Sequence, residues 1–139
     1  RTWDVRTALI RAAWCGHRNT VALLLDRGAA LEAKTGGGST ALILAAERGH
    51  KDTVELLLDW GADLHVRTWD VRTALIRAAW CGHRNTVALL LDRGAALEAK
   101  TGGGSTALIL AAERGHKDTV ELLLDWGADL HVRTWDVRT

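Results

Sequence analysis

Four histidines recur at a constant spacing, and they are the first residues whose chemistry needs an explanation. His17, His50, His83 and His116 are 33 residues apart. Imidazole is a common zinc ligand, so a row of histidines could hold metal ions. Zinc needs its ligand nitrogens at about 2 Å, whereas helices of stacked neighbouring units lie about 8–10 Å apart. This spacing favours a structural role for the four rings over a metal site.

Two cysteines and a glycine-rich stretch are the other candidates for chemistry. Cys15 and Cys81 are 66 residues apart, and a cysteine nucleophile needs a base placed against it. The stretch "TGGGST" at 35–40 and 101–106 resembles a phosphate-binding loop, but such a loop needs a lysine before its Ser/Thr. Glycine precedes the serine in both copies. We therefore predict no catalytic, cofactor-binding or metal-ligating residue, and a protein that is not an enzyme.

Composition narrows the class of partner. The chain has 18 Lys and Arg against 17 Asp and Glu, which gives a net charge of +1. A dedicated nucleic-acid or anionic-membrane binder would show a basic excess, so neither partner is expected. The hydrophobic fraction of 47% suits a folded protein. The unpaired cysteines, and the lack of a signal-peptide or membrane-spanning pattern in this stretch, favour an intracellular location.

An internal repeat organises the whole chain. Residues 1–66 are identical to 67–132, and a shift of 33 still leaves 18 of 33 positions identical between 6–38 and 39–71. Such a period is typical of a solenoid of stacked units. We predict a single domain, 1–139, in which two unit types A and B alternate. Its predicted segments are a partial hairpin at 1–5, four repeats at 6–38, 39–71, 72–104 and 105–137, and the start of a further repeat at 138–139.

Each unit has the pattern of two short helices. In unit B, Thr40 can cap a helix from 41 to 48, and Gly49 follows it in a position suited to left-handed backbone. Asp52 or Thr53 can cap a second helix that Gly61 ends. Unit A repeats the plan, with Thr7 as the cap of a helix at 8–15 and a second helix at 19–27. The intervening segments have no helical periodicity and predict turns.

The stretch "TALILAAERGHKDTVELLLDWGADLHV" resembles an ankyrin repeat. The family pattern runs T-P-L-H, then G-H, then V-x-L-L-L and G-A-D, and the resemblance covers the entire chain in four repeats. It implies an all-α solenoid of paired antiparallel helices with β-hairpin or turn connections. It also implies a non-enzymatic scaffold without a cofactor, which binds other proteins through a concave face of hairpin tips and first helices. In the family, the G-H histidine structures the turn between the helices.

Two departures from the family pattern predict local differences. The family's T-P-L-H is "TALI" in every repeat, so Ile10, Ile43, Ile76 and Ile109 replace a histidine that hydrogen-bonds between repeats. Apolar packing should take over its role. The turn glycine survives as Gly38 and Gly104 but is valine at 5, 71 and 137. Because a β-branched residue resists positive φ, the two kinds of hairpin should differ in shape.

Tryptophan and arginine are the best candidates for partner contacts, since both are frequent interface hot spots. The family's variable positions, carried over residue by residue, include Trp69 at a hairpin tip and Trp80 on a first helix. Trp69 should be exposed. Trp80 could equally anchor a partner or pack, either on the stem of Arg77 or on a neighbouring hairpin. Trp60 and Trp126 should cover the seam between repeats. The candidate protein-binding residues are Trp3, Trp14, Arg48, Arg67, Trp69, Asp70, Arg72, Trp80, Lys100, Arg114 and Trp135.

The first and last repeats suggest a second possibility. Solenoids normally carry polar capping repeats, but Leu9 and Leu24 in the first repeat, and Leu122 and Leu123 in the last, match the interior repeats. Two complementary apolar ends predict end-to-end self-association that does not close on itself. An identical-repeat array whose main property is self-stacking is therefore the alternative to a partner-binding scaffold.

Overall fold

A computed structural model describes residues 4–134, and their side chains from residue 8 onward. This part of the chain forms four antiparallel helix pairs, which we number as repeats 1 to 4. The helices are α1 (Asp4–Cys15), α2 (Arg18–Asp26), α3 (Ala41–Glu47), α4 (Lys51–Asp59), α5 (Ala74–Trp80), α6 (Arg84–Asp92), α7 (Ala107–Glu113) and α8 (Lys117–Asp125). The prediction of an all-α solenoid is confirmed.

The helices form two layers. The first helices α1, α3, α5 and α7 pack side by side, and the second helices α2, α4, α6 and α8 form the other layer. Fully buried alanines on the first helices, such as Ala46 and Ala79, allow neighbouring helices to approach closely. Ile43 and Ile76 are also buried, with 1% and 0% of their surface exposed. Apolar packing therefore occupies the position of the family's bonding histidine, as predicted.

The predicted threonine caps form at the first helices of repeats 2 to 4. The Oγ1 atoms of Thr40, Thr73 and Thr106 accept hydrogen bonds from backbone N–H groups in the first turns of α3, α5 and α7, at 3.2–3.4 Å. The prediction that Asp52 or Thr53 caps the second helix is wrong. The residue that precedes α4 is His50, whose side chain makes no capping bond. Asp52 lies inside the first turn instead, where its charge is favourable.

The start of the chain differs from the prediction. Helix α1 begins at Asp4, so residues 4 and 5 are helical and not part of a hairpin, and Thr7 is not a cap. In repeat 3 the equivalent segment is a hairpin, and its Trp69 N–H donates to the Gly37 carbonyl of the preceding hairpin at 3.0 Å. No hairpin precedes repeat 1 among the described residues. Without that partner, the segment extends α1 by a turn and does not form a hairpin.

The hairpins at 35–39, 68–72 and 101–105 have the same backbone, contrary to the prediction. In each, the N–H of the threonine bonds to the carbonyl four residues later, at 2.9 Å. Val71 has a φ of +59°, in the same left-handed region as Gly38 at +87°. Left-handed backbone costs a residue with a Cβ about 1–2 kcal/mol. The bonds of Val71 N–H to the Thr68 carbonyl, and of Trp69 N–H to the preceding hairpin, hold the valine in this conformation.

The regularly spaced histidines link neighbouring repeats. The Nε2 atoms of His50, His83 and His116 each donate to the carbonyl 36 residues earlier, at 2.8–2.9 Å. Each acceptor lies at the end of the preceding first helix. Each of these histidine rings therefore links its own repeat to the preceding repeat, in addition to any role in the turn between its own two helices.

Candidate protein-binding face

Most of the predicted binding residues that the structure describes lie in a hairpin or at the end of a first helix. We define the binding face as the hairpins at 35–39, 68–72 and 101–105 together with the last turns of the first helices. Cys81 lies near its middle and is half-buried. Four charged groups act on its thiol, namely Glu47, Arg114, Arg77 and Arg48. Charged side chains from three consecutive repeats are thus within electrostatic range of one point.

Stacked arginine and tryptophan side chains connect repeats across this face. The guanidinium carbon of Arg48 lies 4.5 Å from the ring centroid of Trp14. In the identical arrangement two repeats later, Arg114 lies 4.3 Å from Trp80. Arg72 approaches Trp80 at 5.7 Å. Such cation–π contacts contribute about 0.5–1 kcal/mol each when exposed.

The guanidinium of Arg77, the residue three positions before Trp80, is held by ion pairs. It bridges two carboxylates, with Nη1 3.0 Å from Glu47 Oε1 and Nη2 3.4 Å from Asp70 Oδ1. The pair with Glu47 links Arg77 to the preceding repeat, and the pair with Asp70 links it to the hairpin of its own repeat. The Trp80 ring is left to the arginine of the following repeat. Trp80 therefore contacts an arginine of the adjacent hairpin and one of the following repeat while remaining partly accessible, and its role as a partner anchor stays a prediction.

Asp70 is the acidic centre of the hairpin at 68–72. It accepts a hydrogen bond from the Thr68 hydroxyl, and its Oδ2 lies 3.3 Å from Arg72 Nε. The Thr68 bond lowers the pKa of Asp70, and the nearby Arg77 and Arg72 lower it further, against the opposing effect of burial. Because the folded-state pKa is depressed, this stabilisation is present above the unfolded pKa and is lost as pH falls through the folded pKa. Asp70 therefore carries a negative charge at neutral pH.

The Cys81 thiol is poorly suited to nucleophilic chemistry. Burial raises its pKa, and the Glu47 carboxylate raises it further, whereas Arg114, Arg77 and Arg48 act in the opposite direction. Reactive cysteines have lowered pKa values, because the thiolate is the nucleophile. At neutral pH, Cys81 is mainly a protonated thiol.

Trp69 is the most exposed tryptophan among the described residues, with 79% of its surface accessible. The edge of its ring lies against Gly38 of the preceding hairpin, where a Cβ on that glycine would be 2.9 Å from Trp69 Cδ1. The prediction of an exposed Trp69 is confirmed. Trp60 and Trp126 end the second helices α4 and α8 and are 45% exposed. Trp126 borders an open groove along α6, beside Ala88 and Leu89.

The remaining candidates are placed in different ways. Arg67 is exposed and Lys100 is half-buried, and both precede hairpins. Trp3 and Trp135 lie outside the described residues. An open groove of about 340 Å³ runs beside Trp14 and is lined by Ile10, Arg11 and Leu44 as well. It gives the binding face a concave apolar element next to the Arg48 guanidinium.

Comparisons with known proteins give one clear result. A family model described as "Ankyrin repeats (3 copies)" matches residues 2–68 and again 65–134. A search of curated proteins finds no match. Within residues 4–134, none of the helices has the length and apolar character needed to cross a membrane.

Proposed function

The chain belongs to the ankyrin repeat family, and we propose that it is a non-enzymatic scaffold that binds another protein through its binding face. Ankyrin repeats are generally protein–protein interaction modules. The finer assignment, to the hairpin tips and the ends of the first helices, rests on the side chains found there. The raised pKa of Cys81 fits a scaffold better than a catalyst.

The exposure of Trp69 carries this proposal. A tryptophan that is 79% accessible at a hairpin tip contributes little to the core of the free protein. Burial of so large a side chain against a partner would be strongly favourable, at roughly 25 cal/mol per Å² of apolar surface. Trp14, Trp80, Arg48 and Arg114 lie on the same side of the molecule and would extend the contact.

Selection of displayed random peptides on the immobilised chain tests this assignment. We expect the recovered peptides to bind the Trp69→Ala variant at least about tenfold more weakly, because truncated tryptophan hot spots cost about 2 kcal/mol or more. The matched control is Trp60→Ala, which removes a partly exposed tryptophan from the second-helix layer. Circular dichroism checks that both variants fold. Peptides that lose affinity for Trp60→Ala but bind Trp69→Ala normally would place the site on the other layer.

Self-association through the solenoid ends is the second candidate function. Residues that pack between repeats 2 and 3 have identical counterparts at the ends, and no further repeat covers these counterparts within residues 4–134. Ala46 is fully buried whereas Ala112 is exposed, and Thr86 is buried whereas Thr20 is exposed. The ends therefore carry the two sides of an interface that already forms inside the chain.

The polar contacts of this interior interface are also available at the ends. The Glu47 carboxylate forms an ion pair with the Arg77 guanidinium at 3.0 Å. The Glu47 backbone carbonyl accepts a hydrogen bond from His83 Nε2 at 2.8 Å. The corresponding side chains are Glu113 in repeat 4 and Arg11 and His17 in repeat 1, all of which are exposed. The neighbour of either end is a further repeat of this kind, in a longer array or in a second copy. Such a head-to-tail contact does not close on itself.

Sedimentation velocity over a wide concentration range tests end-to-end stacking. The chain of 15.1 kDa should form larger species as its concentration rises. Ala112→Arg should abolish them, because the arginine adds bulk and a charge that repels Arg11 of the incoming copy. Ala96→Arg is the control, since Ala96 is exposed in the loop after α6. A constant single-chain mass, or equal assembly of Ala112→Arg and the original chain, would contradict self-stacking.

A further inference from the structure

We infer that the partner of the binding face is an extended acidic segment whose carboxylates bind Arg48 and Arg114, an inference that rests on the proposed scaffold function. Both arginines are exposed, and neither has an ion pair within residues 8–134. Arg72 and Arg77, in contrast, form ion pairs with Asp70 and Glu47. The face thus holds two arginines that are positioned by tryptophan rings but have no carboxylate partner among the described residues.

The stacking geometry leaves these guanidinium groups ready to bind carboxylates. The guanidinium of Arg48 lies over the Trp14 ring, and that of Arg114 over the Trp80 ring. A guanidinium has five N–H donors, and no carboxylate of the described residues forms an ion pair with either group. A planar guanidinium that is already oriented loses less entropy when it forms bidentate bonds to a carboxylate. Hydrogen bonds of this charge-assisted kind are among the strong ones in proteins.

The local charge balance favours an acidic partner. Around Cys81 the contributing side chains are three arginines and one glutamate. The exposed Arg67 and the half-buried Lys100 add further positive charge at the starts of hairpins. Asp70 and the exposed Glu113 lie on the same face, so its positive excess is small and is concentrated at Arg48 and Arg114, the two arginines of the face without an ion pair among the described residues. A segment with a few acidic residues fits this pattern better than a nucleic acid, which has a phosphate on every residue.

The repeat sets the expected spacing of the acidic residues. The two arginine–tryptophan pairs are related by the 66-residue identity, which corresponds to two repeats. At about 10 Å per stacked helix, the pairs are about 20 Å apart. An extended chain advances about 3.3 Å per residue, so about six residues cover this distance. The groove beside Trp14 would receive an apolar side chain near the first carboxylate.

Peptide display provides the probe for this inference. Random peptides of about sixteen residues, long enough to span two repeats, are selected on the 139-residue chain, and those that lose affinity for Trp69→Ala are sequenced. We expect these peptides to be enriched in pairs of Asp or Glu about six residues apart. Replacement of both acids by their amides should weaken binding by about tenfold or more, because each removes a charge-assisted hydrogen bond.

Paired arginine variants provide the matched control. Arg48→Gln with Arg114→Gln should cause the same loss of affinity as the amide peptide. Arg18→Gln with Arg84→Gln removes the same charge at the same 66-residue spacing, but at the starts of second helices, and should have little effect. Equal losses for the two double variants would show only a general charge effect and would overturn the inference.

The outcomes separate this inference from the proposed function. Peptides that need Trp69 but show no acidic pairs would overturn the acidic partner and leave the scaffold function standing. A failure to recover any peptide that depends on Trp69 would count against both. A single-stranded oligonucleotide that binds through Arg48 and Arg114 more tightly than the acidic peptides would overturn the inference and identify a nucleic-acid site instead.

Discussion

Gly49→Ala should lower the free energy of unfolding by about 3 kcal/mol, the largest loss that we expect from so small a change. Gly49 follows α3 with a φ of +75°, so any residue with a Cβ is strained there by about 1–2 kcal/mol. A Cβ at this position would also lie 2.5 Å from Nδ1 of His83. The His83 ring cannot retreat freely, because its Nε2 is bonded to the Glu47 carbonyl at 2.8 Å. Loss of that bond adds a further cost of about 1–3 kcal/mol.

The chain contains its own control for this variant. Gly115 has the same neighbours in sequence and a φ of +76°, but no atom lies within 4 Å of the place that a Cβ would occupy. Gly115→Ala should therefore cost only the backbone strain of about 1–2 kcal/mol. Guanidinium denaturation followed by circular dichroism measures both changes, at concentrations too low for self-association. Equal losses at the two positions would mean that the His83 contact contributes nothing.

Ile43→Ala should destabilise the protein by about 3 kcal/mol, in the range for buried isoleucine truncations. Ile43 lies on α3 with 1% of its surface exposed, and α3 packs against a first helix on each side, α1 and α5. Its side chain occupies the position where the family has a histidine that bonds between repeats. Truncation removes apolar burial and leaves a cavity between two packed helices, which the rigid helix pairs can fill only in part.

The equivalent residue in repeat 4 again provides the comparison. Ile109 has the same sequence neighbours but is only half-buried, because no further repeat covers it among the described residues. Ile109→Ala should cost about half as much, since the hydrophobic contribution follows the area removed from water. Denaturation curves measure the free energy of unfolding of the two variants and allow the two losses to be compared. An equal cost would show that Ile43 is stabilised within its own repeat and not by the interface.

The features that the sequence predicts well are those encoded within one repeat. The 33-residue period, the two helices per unit, and the threonine caps of α3, α5 and α7 depend on residues close together in the chain. Helix propensity, capping and glycine at left-handed positions are local effects, so they can be read without knowledge of the neighbours. The exposure of Trp69 was also predictable, because a hairpin tip projects from the body of the repeat.

The features that were missed depend on how one repeat meets the next. The bonds of the histidines to preceding carbonyls, and the stacking of Arg114 on Trp80, join residues more than thirty positions apart. The ion pairs of Arg77 with Glu47 and Asp70 were not predicted, although the Arg77 stem was one of the alternative partners of Trp80. Val71 shows the same effect on the backbone, because bonds to the adjacent hairpin outweigh its intrinsic preference. The 34-residue offset between each tryptophan and its arginine was a signal that could have been noticed.

The histidine bonds also have a consequence for the order of folding. Each bond ties a repeat to the one immediately before it, and the helix layers likewise pack between adjacent repeats. Chains dominated by such near-neighbour contacts can nucleate at one place and grow outward. The two central repeats have structured neighbours on both sides, so they should form the nucleus. Amide hydrogen exchange should accordingly be slowest in α3 to α6 and become faster toward both ends of the array.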